Sequence, residues 1–146
     1  MSPDFGDLLA EFNAHGVEYI VVGAHALAAH GHVRATKDLD VWVRPERSNA
    51  TRVIAALQAF GAPLQDLTES DLAVAGTIFQ IGVAPIRIDV ITTIDGVDFA
   101  DAWAARLQAP FADQVVPVLS REHLIQNKRN RSAAGLHCDL TAWPIV

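Results

Sequence analysis

Residues 34–43, RATKDLDVWV, join two carboxylates to a run of apolar residues. Side chains alternate along a strand, so Asp38, Asp40 and Trp42 would share one face. The other face would be apolar: Leu39, Val41 and Val43. Two carboxylates on one face repel each other and raise the free energy of the fold unless a positive charge lies between them. The stretch therefore predicts a strand with a charged site on one face.

The segments around this strand predict an α/β (α+β) protein with a mixed sheet flanked by helices. Apolar spacing and end signals predict helices at 4–14, 24–31, 44–61, 98–108 and 120–130, with Ser120 as a cap. Strands are predicted at 18–23, 38–43, 77–82, 86–92 and 114–120. Residues 77–82 and 86–92 are too close for a helical crossover, so the sheet should contain an antiparallel pair.

Composition indicates one globular domain covering 1–146, since 51% of the residues are apolar, 19% are charged, and no repeat or linker is visible. The net charge of -6 disfavours a surface that is basic throughout, and the basic segment 121–131 is more typical of an exposed helix face than of an RNA site. A lone cysteine, Cys138, suits a reducing compartment. Neither a signal peptide nor a membrane span is visible, so we expect a cytoplasmic protein.

A third carboxylate lies in IRIDVIT, residues 86–92. The same alternation turns Arg87 and Asp89 away from the core, towards which the apolar residues point: Ile86, Ile88 and Val90. If this strand neighbours residues 38–43, Asp89 completes a cluster with Asp38 and Asp40. Oxygen ligands of this kind suit Mg²⁺, and two ions roughly 3.5–4 Å apart would fit an in-line displacement at phosphorus.

Phosphate donors precede the aspartates. VVGAHALAAHG, residues 21–31, places Gly23 between a strand and a helix, where backbone amides can approach an anion, although a plain tight turn is an equal alternative. Three polar side chains upstream of Asp38 could contact phosphate oxygens: Arg34, Thr36 and Lys37. His25 adjoins the turn and could do the same, but a packed or solvent-facing histidine is the simpler interpretation, and the histidines match no zinc site. For Trp42, core packing is favoured over stacking on a base.

These motifs together resemble the nucleotidyltransferase superfamily. Gly23 and Ala24, RATKDLDV at 34–41 and IDV at 88–90 are most similar to the minimal nucleotidyltransferases and the AbiEii-type toxins, over roughly 17–92. The resemblance implies that Asp38 and Asp40 bind Mg²⁺ and that Asp89 helps activate an acceptor hydroxyl. It further implies that the triphosphate lies at Gly23 and its neighbours. A C-terminal segment containing Lys128 would lie near the nucleotide.

The expected function is Mg²⁺-dependent transfer of a nucleoside monophosphate from ATP or another triphosphate to a hydroxyl. The acceptor stays open between a transfer RNA end, a partner protein and a small hydroxylated molecule, and a role in a toxin–antitoxin system is one expectation. Ala24 replaces the Ser or Gly usual in the family, and little chain follows the motifs. Both features favour the alternative, an inactive nucleotide-binding or protein-interaction module. The mean hydropathy of +0.22 leaves room for a partner protein or a homo-oligomer.

Overall fold

The structure is a computed structural model that describes residues 3–31, 38–83, 86–111 and 113–133. The helices in these ranges are α1 (Pro3–Ala14), α2 (Gly23–Ala29), α3 (Arg47–Phe60), α4 (Glu69–Leu72), α5 (Phe99–Ala104) and α6 (Arg121–Ala133). The strands are β1 (Tyr19–Val22), β2 (Asp38–Val43), β3 (Ile78–Val83), β4 (Ile86–Ile91), β5 (Leu107–Phe111) and β6 (Gln114–Val118).

The strands form one mixed sheet in the order β3-β4-β2-β1-β6-β5. The pairs β3–β4, β1–β2 and β5–β6 are antiparallel, whereas β2–β4 and β1–β6 are parallel. The predicted mixed sheet, including the antiparallel pair at 77–92, is confirmed. Parallel neighbours need a long crossover connection, and the chain between β2 and β4, which contains α3, α4 and β3, provides one.

The two faces of the sheet are covered by different helices. Leu39 and Val41 are fully buried on the face where α1 and α3 pack together, and Phe12 meets Tyr19 there with ring centroids 5.3 Å apart. On the other face Trp42 is 2% exposed and meets Phe99 of α5 edge-on at 5.0 Å. The core packing predicted for Trp42 is therefore what the structure shows.

Helix ends follow local chemistry. Gly61 ends α3 in the left-handed conformation (φ 92°), and Ala62 N–H donates to the Leu57 carbonyl at 3.0 Å, which closes the last turn. Ser120 Oγ accepts from His123 N–H at 3.2 Å at the start of α6, as predicted for a cap. Among the described residues, no helix is both long and apolar enough to cross a bilayer.

The predicted helix at 98–108 is wrong in its second half. Helix α5 ends at Ala104, and residues 107–111 form β5 against β6. Just after the helix, the Arg106 guanidinium lies 3.8 Å from the Trp103 ring centroid and donates to the Trp103 carbonyl. Helix α4 was not predicted, although Thr68 and Asp71 form a reciprocal capping box at its start.

Candidate functional site

Three carboxylates and one arginine meet on a single face of the sheet. In the parallel pair β2–β4, Asp40 lies opposite Asp89 and Asp38 lies opposite Arg87. Their neighbours in sequence, Leu39 and Ile88, are buried on the other face. The structure therefore brings Asp89 beside Asp38 and Asp40. From the sequence alone, this proximity depended on whether the two strands are neighbours in the sheet.

Arg87 supplies the positive charge between these carboxylates. Its Nη2 lies 3.5 Å from Asp38 Oδ2, and its Nε lies 3.2 Å from Asp89 Oδ1. The second contact is an ion pair without hydrogen-bond geometry, because both of its atoms are buried and neither has a hydrogen-bond partner. One guanidinium thus bridges the two strands, mainly through its charge.

Burial and repulsion between like charges make two of the carboxylates, Asp40 and Asp89, hard to ionise. Burial raises the pKa of Asp40 to about 6, the charges of Asp89 and Asp38 add to this, and Arg87 opposes it. The pKa of Asp89 is also raised, chiefly by burial, with Arg87 again acting in the opposite direction. Arg87 therefore offsets only part of the negative charge, and a further cation would stabilise the ionised cluster.

Gly23 begins α2 directly against Asp40. Its φ of +70° is a left-handed conformation that favours glycine, and a Cβ placed on it would lie 2.5 Å from Asp40 Oδ2. No side chain fits there without moving the carboxylate. The Asp40 carboxylate therefore packs directly against the backbone at the start of α2.

A cleft of about 380 Å³ opens beside this contact. Its lining comes from β1, α2, β2, β3, β4, the turn after β4, and α6: Val22, Gly23, Asp40, Ile78, Ile91, Thr93, Ile94, Asp95 and Asn127. Asn127 of α6 donates to the Asp95 carbonyl at 3.0 Å, which holds the helix against the turn. The volume and the mixture of apolar and polar walls are typical of a small-molecule site.

Solved structures with the same arrangement of strands and helices are nucleotidyltransferases. A Thermotoga maritima protein assigned to that class superposes with a TM-score of 0.64 at 14% identity, covering 92% of this chain and 89% of its own. The antibiotic-resistance factor ANT(2'')-Ia in solution superposes with a TM-score of 0.61 at 17% identity, covering 97% of this chain and 75% of its own. Its crystal complex with adenylyl-2''-tobramycin superposes with a TM-score of 0.60 at 18% identity, covering 96% of this chain and 79% of its own. This chain has a nucleotidyltransferase fold. No protein-family profile and no curated protein matches its sequence.

Within the nucleotidyltransferase fold, the other predicted ligand residues lie in different places. Ala24 follows Gly23 in the first turn of α2. Lys128 is half-buried on α6, next to Asn127 of the cleft. Three predicted phosphate donors lie outside the described residues: Arg34, Thr36 and Lys37.

His25 does not face the carboxylates, so the structure shows the packed alternative and not the phosphate contact that was also predicted for it. Its ring packs edge-on against Phe5 and Phe111, with centroids 5.4 Å and 5.2 Å away. It lines a second cleft with Val21 and Val118, on the opposite face of the sheet. This burial lowers the pKa of His25, so the ring is held neutral as part of the apolar packing.

The donor chemistry of the carboxylate face fits a hard cation. Only carboxylate oxygens are offered by Asp38, Asp40 and Asp89, and Asp89 Oδ1 is buried without a hydrogen-bond partner. Even so, the described residues hold no group of three or more His, Cys, Asp or Glu side chains already disposed around one ion. Arg87 contacts two of these carboxylates, Asp38 and Asp89, so a cation bound there would share them with its guanidinium.

Sequence reasoning missed the ion pairs of Arg87 and the part of the cleft beyond β4. A signal for Arg87 was present, because it stands two residues before Asp89 and shares its face. Thr93, Asp95 and Asn127 gave no comparable signal, because the cleft forms only when α6 packs against the turn after β4.

Proposed function

We propose that this protein is a Mg²⁺-dependent nucleotidyltransferase, which moves a nucleoside monophosphate from a triphosphate such as ATP to an acceptor hydroxyl. The observation that carries the proposal is the in-register pairing of Asp40 with Asp89, next to the Gly23 turn and at the mouth of a cleft. The fold shared with nucleotidyltransferases supports it.

The start of α2 would hold the triphosphate. Gly23 leaves space for a phosphate to approach the backbone, and the N–H groups of the first helical turn, including that of Ala24, point towards an anion there. Ala24 has no hydroxyl, so its contribution is limited to the backbone amide. Four side chains would supply further donors: Arg34, Thr36, Lys37 and Lys128.

The carboxylates would divide two tasks between them. Asp38, Asp40 and Asp89 would hold the metal, with two ions expected, and the metal would neutralise phosphate charge and make the acceptor hydroxyl more acidic. Asp89 would accept the hydroxyl proton as the acceptor oxygen bonds to the α-phosphorus. The bond from that phosphorus to the bridging oxygen breaks, and pyrophosphate leaves. The raised pKa of Asp89 favours a proton acceptor.

Among the possible acceptors, we favour a small hydroxylated molecule. ANT(2'')-Ia, which shares the fold, has been solved with adenylyl-2''-tobramycin. In this chain Thr93, Asp95 and Asn127 line the cleft and offer hydrogen-bonding groups to hydroxyl or amino substituents. A transfer RNA end or a partner protein, modified in the cytoplasm by the toxin of a toxin–antitoxin pair, is the alternative acceptor.

A second candidate is an inactive nucleotide-binding or protein-interaction module. Arg87 between the strands favours it, because a permanent guanidinium would replace the metal. Such a module would bind a triphosphate without releasing pyrophosphate. A dimer or a partner protein would then be its target.

The test combines binding with turnover. Nucleoside triphosphates labelled on the α-phosphate are incubated with the protein, Mg²⁺ and separate panels of aminoglycosides, RNA and protein. Label should pass to one acceptor class and pyrophosphate should appear. Asp40→Ala and Gly23→Ala should each lose at least about 100-fold in rate, since one removes a metal-binding carboxylate and the other forces a Cβ against it.

The matched control is Asp66→Ala, which removes an exposed carboxylate away from the cleft and should retain the wild-type rate. If the protein binds a triphosphate but releases no pyrophosphate from it, whichever acceptor is offered, the inactive module is favoured. If the intact protein binds no triphosphate in the presence of Mg²⁺, the nucleotidyltransferase and the nucleotide-binding module are both excluded, and only the protein-interaction module is left.

A further inference from the structure

Arg87 lies between carboxylates that the proposed function assigns to a metal. It projects from β4 on the same face as Asp89, and in the strand register it lies opposite Asp38. Its guanidinium contacts one carboxylate on each strand, at 3.5 Å and 3.2 Å. The cluster therefore already contains a cation that belongs to the protein.

The geometry of these contacts is suited to release. A strong arginine–carboxylate pair is bidentate, with two parallel N–H···O bonds at about 2.7–2.9 Å. Here each carboxylate receives one longer contact, and the Nε–Oδ1 contact lacks hydrogen-bond geometry. The Arg87 side chain is 35% exposed, so water reaches part of the guanidinium although Nε itself is buried. Such a pair is weaker than an oriented one and costs less to separate.

We propose that Arg87 is a built-in counterion that competes with Mg²⁺ for the carboxylates of β2 and β4. Mg²⁺ alone then binds weakly, and it enters together with the triphosphate, whose oxygens give the displaced guanidinium a new partner. Arg87 would thus be a positioning residue that makes metal and nucleotide binding cooperative. This inference rests on the proposed function, because it assumes that the carboxylates receive a metal.

Electrostatics sets the direction of the effect. Three carboxylates lie on one face of the paired strands β2 and β4, and the Arg87 guanidinium lies among them, 3.5 Å from Asp38 and 3.2 Å from Asp89. Without it, the ligand-free cluster would be less stable and would gain more from a divalent ion. Removing Arg87 should therefore tighten Mg²⁺ binding and weaken the ligand-free fold.

The experiment measures the dissociation constant of Mg²⁺ by calorimetry, with and without a non-hydrolysable ATP analogue. In the wild type the analogue should tighten Mg²⁺ binding strongly. In Arg87→Gln, Mg²⁺ alone should bind about tenfold more tightly, which corresponds to about 1.4 kcal/mol, and the benefit of the analogue should shrink. Arg87→Lys keeps the charge and should stay close to wild type.

The control is Arg47→Gln. Arg47 is 71% exposed and pairs with Glu69 at 3.5 Å, away from the cleft. Its removal changes the net charge by the same amount as Arg87→Gln, so a general charge effect would appear in both variants. An effect confined to Arg87→Gln isolates the position between the strands.

A second measurement uses the wild type and does not depend on Arg87→Gln folding. The arginine Nε–Hε signals are followed by NMR while Mg²⁺ and the analogue are added. The Arg87 signal should shift as its carboxylate contacts break, whereas the Arg47 signal should stay in place. An Arg87 signal that does not move at saturation overturns the inference.

The outcomes separate this inference from the proposed function. If the wild type transfers nucleotide but Arg87→Gln binds Mg²⁺ no more tightly, the inference is wrong and the function stands. If Arg87→Gln binds Mg²⁺ more tightly while the wild type releases no pyrophosphate, the inference stands and the function is wrong. If Mg²⁺ binds to neither protein, with or without the analogue, both are wrong.

Discussion

The surroundings of Asp40 destabilise the ionised form of its carboxylate. Its carboxylate is partly buried, lies opposite Asp89 in the register, and contacts the glycine turn. Its pKa is raised to about 6, whereas an aspartate in an unfolded chain titrates near about 4. The folded protein therefore binds a proton more tightly than the unfolded chain does, and stability falls as the pH rises from about 4 to 6.

We expect Asp40→Asn to stabilise the metal-free protein above about pH 6, because an amide of the same shape carries no charge. Raising the pKa of a group by about 2 corresponds to roughly 3 kcal/mol, which is the upper limit of the gain in the free energy of unfolding near pH 8. Near pH 4 this gain should vanish. Urea unfolding in the presence of a chelator at the two pH values measures this difference. Asp66→Asn is the control, and an equal gain at both pH values would contradict the prediction.

At this scale, sequence predicted the orientation of the charged side chains but not their partners. Strand alternation sufficed to place Asp38 and Asp40 on one face and to put Asp89 in phase with them. That Arg87 faces Asp38 depends on β2 and β4 being parallel neighbours, and alternation within one strand carries no information about that. For the same reason, proximity in sequence to Gly23 was misleading for His25, because two residues along a helix turn the side chain to another side.

Asn49 of α3 joins three elements of the fold. It is 1% exposed, its Oδ1 accepts from Glu18 N–H at 2.8 Å, and its Nδ2 donates to the carbonyls of Glu18 at 3.0 Å and Arg44 at 3.1 Å. The side chain thus ties the start of α3 to the residues just before β1 and just after β2. These contacts fix the ends of the two strands that carry Val22 and Asp40.

We expect Asn49→Ala to lower the free energy of unfolding by on the order of 2 kcal/mol, because it leaves the Glu18 N–H without its partner and removes one of the two hydrogen bonds to each of the Glu18 and Arg44 carbonyls. Thr51→Ala is a matched helix control: its Oγ1 bonds only to the Arg47 carbonyl of its own helix, so the change should stay within about 0.5 kcal/mol. Urea denaturation measures both. A loss in Asn49→Ala as small as that of the control would show that water replaces the side chain.

Among the elements, segments with a clear apolar or alternating pattern were predictable, including the edge strand β3, whereas the other edge strand, β5, was not. Strand β2 carries its own pattern and was assigned with its bounds. Strand β5 continues a helix-like run from α5, and Leu107 at its start is 47% exposed, so its pairing with β6 is a tertiary effect that no local pattern indicates. The capping box of α4 was readable in Thr68 and Asp71, and a search for caps would have found it.

At the scale of the whole molecule, α6 has little apolar attachment beside the cleft. Within residues 121–130 Leu124 is the one fully buried side chain, and polar contacts supply the rest: Gln126 donates to the Gly96 carbonyl and Asn127 to that of Asp95. Elements held by few buried contacts open at lower free energy than the central strands. The wall of the cleft that α6 contributes should therefore loosen before the carboxylate wall does.

We expect the backbone amides of α6 to exchange with deuterium faster than those of β1 and β2, and to slow when Mg²⁺ and a non-hydrolysable triphosphate are added. Binding to the folded state alone raises the free energy of opening of any element that closes over the ligand. Exchange followed by mass spectrometry on peptides from the three elements measures this. Equal protection of α6 and β2 without ligand would contradict the prediction.

The in-register pairing of Asp40 with Asp89 also restricts which insertions and deletions the protein can tolerate. Deleting or inserting one residue inside β2 or β4 would turn every later side chain of that strand over, sending aspartates into the core and valines into the cleft. A two-residue shift would preserve the faces but separate the facing carboxylates by one step of the ladder. Length variation between homologues should therefore fall in the segment that connects β2 to β4, where added or lost residues leave both strands aligned.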